Sequence, residues 1–223
     1  LGAWAVYSLG KLQIPTSNIA VSTALFKRLL HKPVLLINAS YMGHMWELYT
    51  MWPWIGPFMV FVLAAQGYDV QKAAVYGNTL GGISIIIGAL ATWIGGKLSD
   101  VYGRTVMILV FLAGSTICSL CIGWMVYVPV SLLTVMVIVY GFLVVGDSPI
   151  LTATVADLAE PEIMGFTLGI QSVVGYGITI ISPAVFGLVL DTTQSWGWAF
   201  TSLGLGAFLG VVALLFLRHT VHI

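Results

Sequence analysis

Charge is what this sequence has least of. Only 7% of its 223 residues are Asp, Glu, Lys or Arg, eight basic and eight acidic, against roughly a quarter in an average soluble domain. So few charges cannot cover the water-facing surface of a chain this long. A soluble globular enzyme, a disordered chain and a nucleic-acid binder are therefore excluded. Cysteine is equally scarce. Cys118 and Cys121 are too few for a disulfide scaffold. Their C-x-x-C spacing falls inside a charge-free run with no second ligand pair, so it reads as small apolar packing rather than redox or metal chemistry. No G-x-x-x-x-G-K-[ST] loop occurs, so a nucleotide-driven cycle is not expected.

What the sequence has in plenty is apolar: 59% hydrophobic residues and a mean hydropathy of +1.03. A bilayer core of about 30 Å needs about 20 such residues in a helix, and the rare charges punctuate the runs. Six spans follow: 33–65, containing Glu47; 73–96; 105–127; 128–156, containing Asp147; 163–190; and 196–217. The runs are continuous rather than alternating, so helices are expected and not barrel strands. Lys11, Lys27, Arg28, Lys32, Lys97, Arg104 and Arg218 fall on one side of the resulting topology and only Lys72 on the other. That bias places both ends of the chain in the cytoplasm.

The first residues are apolar, but 1–9 is too short to span and has no basic segment before it. It reads as the tail of a preceding span, followed by a basic cytoplasmic linker over 10–32, a six-helix bundle over 33–218 and a short tail over 219–223. On that reading the chain is a piece of a longer membrane protein.

The loop after the second span runs Gly96-Lys97-Leu98-Ser99-Asp100-Val101-Tyr102-Gly103-Arg104. Its Gly96, Asp100, Gly103 and Arg104 resemble the G-x-x-x-D-[RK]-x-G-R-[RK] loop of the major facilitator superfamily of secondary transporters, which lies between the second and third spans of each six-span half. Val101 and Thr105 depart from the basic positions. The glycines permit a tight turn and close helix approach. Asp100 can cap a helix or pair with Arg104. The resemblance implies an all-α membrane protein, half of a twelve-helix fold, whose partners are a small solute, the lipid bilayer and an N-terminal six-helix half. It implies alternating access driven by a proton or other ion gradient, with no cofactor, in a bacterial cytoplasmic membrane, and it makes the Asp100–Arg104 loop a cytoplasmic latch. Residues 41–49 and Gly146-Asp147-Ser148-Pro149 resemble the first and fourth spans of a bacterial branch labelled nitrate/nitrite-transporter-like. Nitrate carriers place an arginine in the second span; residues 77–95 contain none, so only the label carries over.

Glu47 lies about 14 residues, or roughly 21 Å of helix, into its span. A carboxylate at the bilayer centre costs about 2.5–3.5 kcal/mol on insertion scales. Glu47 is therefore expected to relay protons or touch a polar substrate, or else to be a structural carboxyl satisfied by a neighbouring helix. His44, one turn earlier, can share its proton. Tyr41, Asn38, Trp46 and Gln171 are further cavity candidates, whereas Trp52 and Trp54 read as an interfacial belt. Pro53 and Pro57 are expected to kink or break the first span. Asp147, just before Pro149, is either a second protonatable group or cation ligand, or a local helix cap. The fifth span is rich in small residues. Gly165 and Gly169 suggest close helix packing, and the stretch around Pro183 loosely resembles the superfamily's glycine–proline gating span. The enzymatic alternative is an intramembrane aspartyl protease using Tyr68-Asp69 and Gly146-Asp147; it fails on depth, since Asp69 falls at a membrane edge. A structural or channel protein is the other alternative, but the N-P-A repeats of a water channel are absent.

Overall fold

The computed structural model describes residues 31–220. The expected preceding-span tail (1–9), nearly all of the basic linker with Lys11, Lys27 and Arg28, and residues 221–223 lie outside the described residues. Seven α-helices follow one another: α1 Lys32–Ala65, α2 Val70–Tyr102, α3 Arg104–Ile122, α4 Val130–Gly146, α5 Ser148–Leu158, α6 Met164–Thr193 and α7 Trp196–Thr220, with one 3₁₀ turn, Pro161–Ile163, before α6. Helices α4 and α5 together make one span, so six segments are long and apolar enough to cross a membrane. In lipid each backbone N–H and C=O must find its partner within the segment, and a long apolar helix meets that demand.

Local chemistry sets the helix ends. The Asp69 carboxylate accepts hydrogen bonds from the backbone N–H groups of Gln71 (3.1 Å) and Lys72 (3.2 Å), capping α2. Gly103 separates α2 from α3 at φ +90°, a conformation that costs any residue with a Cβ, and its N–H bonds the Ser99 carbonyl at 3.0 Å. The third span stops at Ile122, short of the expected 127, because Gly123 opens a run of turns to Pro129.

The prolines behave differently from expectation. α1 runs unbroken through Pro53 and Pro57, and α6 through Pro183. A proline deletes one N–H of the ladder, and in a helix supported on its other turns by packed neighbours that loss does not end the element. The interruption falls instead in the fourth span, at Asp147, where Pro149 occupies the first turn of α5, a position that needs no helical N–H.

The bundle interior is layered. One apolar cluster joins Met51, Phe58, Tyr140, Phe186 and Phe200. A second joins Ile37, Ile108, Phe111, Leu151, Val155 and Leu214. Along α1, α3 and the fourth span, the chain between these clusters carries the buried polar residues His44, Glu47, Ser115 and Asp147, with Ser119 one turn further along α3. Helices cross tightly where glycine allows it. A Cβ on Gly43 would lie 2.8 Å from the Gly210 Cα, so α1 and α7 meet backbone to backbone. A Cβ on Gly141 would lie 2.3 Å from the Ser84 carbonyl oxygen, so α4 is equally close to α2. Gly141→Val is expected to cost about 1–3 kcal/mol through overpacking, visible as a lowered unfolding temperature of the purified protein. The packing expected at Gly165 and Gly169 is not found: a Cβ at either would meet nothing within 4 Å among the described residues. α2 and α6 are the least buried spans.

Candidate functional site

The two deep carboxyls sit on different sides of α1 and have different company. Glu47 is wholly buried. Its Oε2 accepts a hydrogen bond from Ser115 Oγ at 2.7 Å, and its Oε1 accepts from Ser119 Oγ at 2.5 Å and Tyr140 OH at 3.1 Å. The Ser119 and Tyr140 oxygens are also 2.5 Å apart, so the two hydroxyls share their two hydrogens among three contacts. One carboxyl thus ties α1 to α3 and α4 through three uncharged hydroxyls. Ser115 and Ser119 stand four residues apart, on one face of α3. That spacing was the signal in the sequence that could have found them; Tyr140 had none.

His44 is not the partner of Glu47. Residues three apart on a helix are separated by about 60° around the axis, and here that angle sends the two side chains to different neighbours. The His44 ring turns to the joint between α4 and α5. Its Nδ1 lies 2.9 Å from Asp147 Oδ1, within ion-pair range but off the hydrogen-bonding direction, and its Nε2 lies 2.8 Å from Ser148 Oγ. Both members of the His44–Asp147 pair are 1% exposed. The Asp147 side chain does not cap α5. Its Oδ2 is buried without a hydrogen-bond partner among the described residues. Removing one member of a buried pair of this kind typically costs about 3–5 kcal/mol, because the other is left uncompensated.

At the basic rim the expected Asp100–Arg104 pair does not form. Arg104 Nη1 instead contacts Asp157 Oδ2 at 2.6 Å, linking the start of α3 to the end of α5. Asp100 is an exposed residue in the last turn of α2, and Gly96 is inside that helix with open space around it. Gly103 alone makes the turn. The Arg104–Asp157 side chains are 31% and 47% exposed, so water screens the pair. Arg104→Ala is expected to change unfolding stability by about 1 kcal/mol or less.

The remaining candidates spread over α1 and α6. Tyr41 stacks near His44, ring centroids 6.0 Å apart, and fills the space over Gly175. Trp46 lines an apolar groove of about 410 Å³ with Met42, Ile178 and Leu209, its indole edge against Gly206. Trp54 joins Phe58, Phe186 and Trp196 in an aromatic cluster, and Trp52 packs on Tyr49 at 5.3 Å; both tryptophans are partly exposed. Asn38 donates to the Val34 carbonyl at 2.8 Å. Gln171 is buried, with its Nε2 unpartnered among the described residues.

The sequence profile of the Major Facilitator Superfamily matches residues 4–183. The chain belongs to the major facilitator superfamily. No curated protein matches it. Membership, with six apolar helices, makes this a multi-pass membrane protein and a transporter of that superfamily. The geometry also weakens the protease alternative, because Asp69 is an exposed helix cap and does not join Asp147. Among the described residues no group of three or more His, Cys, Asp or Glu is arranged to hold a metal, and Cys118 and Cys121 are free thiols within α3.

Proposed function

We propose that the chain is the C-terminal half of a secondary transporter that moves a small solute by alternating access, coupled to protons. The coupling groups are Asp147 with His44, and Glu47 serves as a buried tie of the bundle. The observation that carries this reading is the His44–Asp147 pair. A carboxyl and an imidazole, both 1% exposed, meet in mid-span at the one interruption of a spanning helix among the described residues. Ionisable groups at that depth mark proton and substrate paths. Glu47 fits exchange less well, since both its oxygens are already held by hydroxyls.

On this reading the basic rim faces the cytoplasm of a bacterial cell, and the polar wall of the solute path is neutral. Among the described residues Lys32, Lys72, Lys97, Arg104 and Arg218 all lie near helix ends, so this half supplies no fixed cation in mid-membrane for an anionic solute. Unpartnered buried polar atoms on Trp46, Thr50, Trp52 and Gln171 offer hydrogen bonds instead. The test is transport by the full-length protein in proteoliposomes under an imposed pH gradient, with a panel of dyes and radiolabelled solutes. Movement that follows the gradient and collapses with a protonophore is expected. Solute movement indifferent to the gradient would remove proton coupling.

A further inference from the structure

The basic rim carries one acidic stretch. Asp157, Glu160 and Glu162 are three of the chain's eight acidic residues, and all fall at the passage from α5 to α6. Asp157 is met by Arg104. Glu160 and Glu162 are exposed, and Glu160 stands at the mouth of a pocket of about 370 Å³. The pocket wall is largely apolar. Val34 comes from α1, Leu158 from α5, Ile163 from the 3₁₀ turn and Thr167 from α6; Val34, Ile163 and Thr167 are buried. Thr167 spends its hydroxyl hydrogen on the Ile163 carbonyl at 3.1 Å, so its side chain offers no free donor. His31 lines the same pocket, and there the chain enters the bundle. Its carbonyl accepts the Leu35 N–H at 3.1 Å, but its own angles (φ −59°, ψ 129°) are extended. The chain before His31 therefore turns off the line of α1 at the pocket.

We propose that this pocket is the dock of the chain's own basic linker: Phe26 and Leu29 fill it, while Lys27 and Arg28 meet Glu160 and Glu162. The linker residues lie outside the described residues, and three observations select them as the occupant. The first is reach. A residue spans at most about 3.6 Å, so Phe26 to Leu30 all lie within about 18 Å of His31, which lines the pocket. The second is charge. An acidic edge repels the anionic headgroups of a bilayer surface and attracts a cation, and Lys27-Arg28 is the one adjacent basic pair in the sequence. The third is pattern. Phe26 and Leu29 flank that basic pair, so the same short stretch brings apolar groups for an apolar wall and cations for an acidic edge. Docked there, the linker is pinned to the turn between the fourth and fifth spans and enters the bundle at a fixed place. The ion pairs sit at a wet rim and are screened by salt, so the apolar contacts hold the segment and the charges set its register.

The test begins with the unmutated full-length protein in vesicles. A carbodiimide joins a lysine amine to a carboxylate that touches it, and mass spectrometry of the digested monomer band reads the product. A link from Lys27 to Glu160 or Glu162 is expected. Its absence, or a link from those carboxylates to the amine of phosphatidylethanolamine in its place, would overturn the inference, the latter making a lipid the occupant. The second arm puts a cysteine at Ala159, on the pocket wall, with Cys118 and Cys121 replaced by alanine, and scans a partner cysteine along the linker under mild oxidation. Phe26→Cys and Leu29→Cys are expected to close the disulfide roughly tenfold faster than Thr23→Cys and Ala24→Cys. Glu160→Lys with Glu162→Lys should slow closure roughly fivefold, and Lys27→Glu with Arg28→Glu added to that pair should restore it. Equal rates along the scan, no rescue by the charge swap, or a disulfide formed only between two chains, seen as a dimer on a non-reducing gel, would overturn the dock. Neither arm needs a substrate, so the outcome is independent of the transport reading.

Discussion

Asp147→Asn is expected to reduce proton-driven transport to the level of empty vesicles while leaving substrate counterflow intact. Counterflow exchanges solute for solute and requires no net proton movement, so it survives loss of the coupling carboxyl. An asparagine fills the same volume and keeps an oxygen toward His44, but it cannot bind and release a proton. The measurement compares uptake driven by a pH gradient with counterflow in the same proteoliposomes. Loss of both would assign Asp147 to folding or to solute binding. Retention of both would move the coupling elsewhere, with Glu47 the remaining deep carboxyl.

Glu47→Ala is expected to lower stability by about 2–4 kcal/mol, from the cavity left and the acceptors removed. For a chain of this size that is a fall of about 5–15 °C in unfolding temperature. Part of the loss is offset locally: Ser115 also reaches the Leu112 carbonyl at 3.1 Å, and Ser119 and Tyr140 keep their bond to each other. Glu47→Gln retains one oxygen acceptor and should lose less than half as much. A thermal melt of the purified protein followed by size-exclusion chromatography reads the difference. If the alanine variant melts with the parent, the hydroxyl cage contributes nothing to holding α1 against α3 and α4.

The spans were legible because sixteen charges in 223 residues leave few ways to place helices in lipid. Most helices run past the expected limits at one end, since a helix does not stop where hydrocarbon does; α2 continues to Tyr102, past the loop motif's Asp100, while α3 stops short at Ile122. The partners were much less legible. Position on a helix face located His44 and Glu47 in the buried layer but could not tell which neighbour each would meet, because that depends on where α3 and α4 cross. Serines in spanning helices commonly bond their own backbone, as Ser84 does to Gly81 at 2.6 Å, so only their four-residue spacing on one helix face sets Ser115 and Ser119 apart. The same limit applied to glycine spacing. Gly165 and Gly169 have the packing motif on an uncovered face, while Gly206 and Gly210, with the same spacing, are where α7 accepts α1. Nothing in the sequence pairs Arg104 with the distant Asp157 rather than with Asp100 in its own loop.

The cage around Glu47 has a consequence for how the protein is made. Its three hydroxyls arrive 68, 72 and 93 residues after the carboxyl itself. At synthesis rates of about 5–20 residues per second, α1 waits about 5–20 s for its last partner. During that interval the least apolar of the six spans carries both Glu47 and His44 without their final contacts. Released alone into lipid, it would be the weakest segment to integrate. Biogenesis of this bundle thus favours insertion machinery that shelters the first helix until the fourth span has emerged.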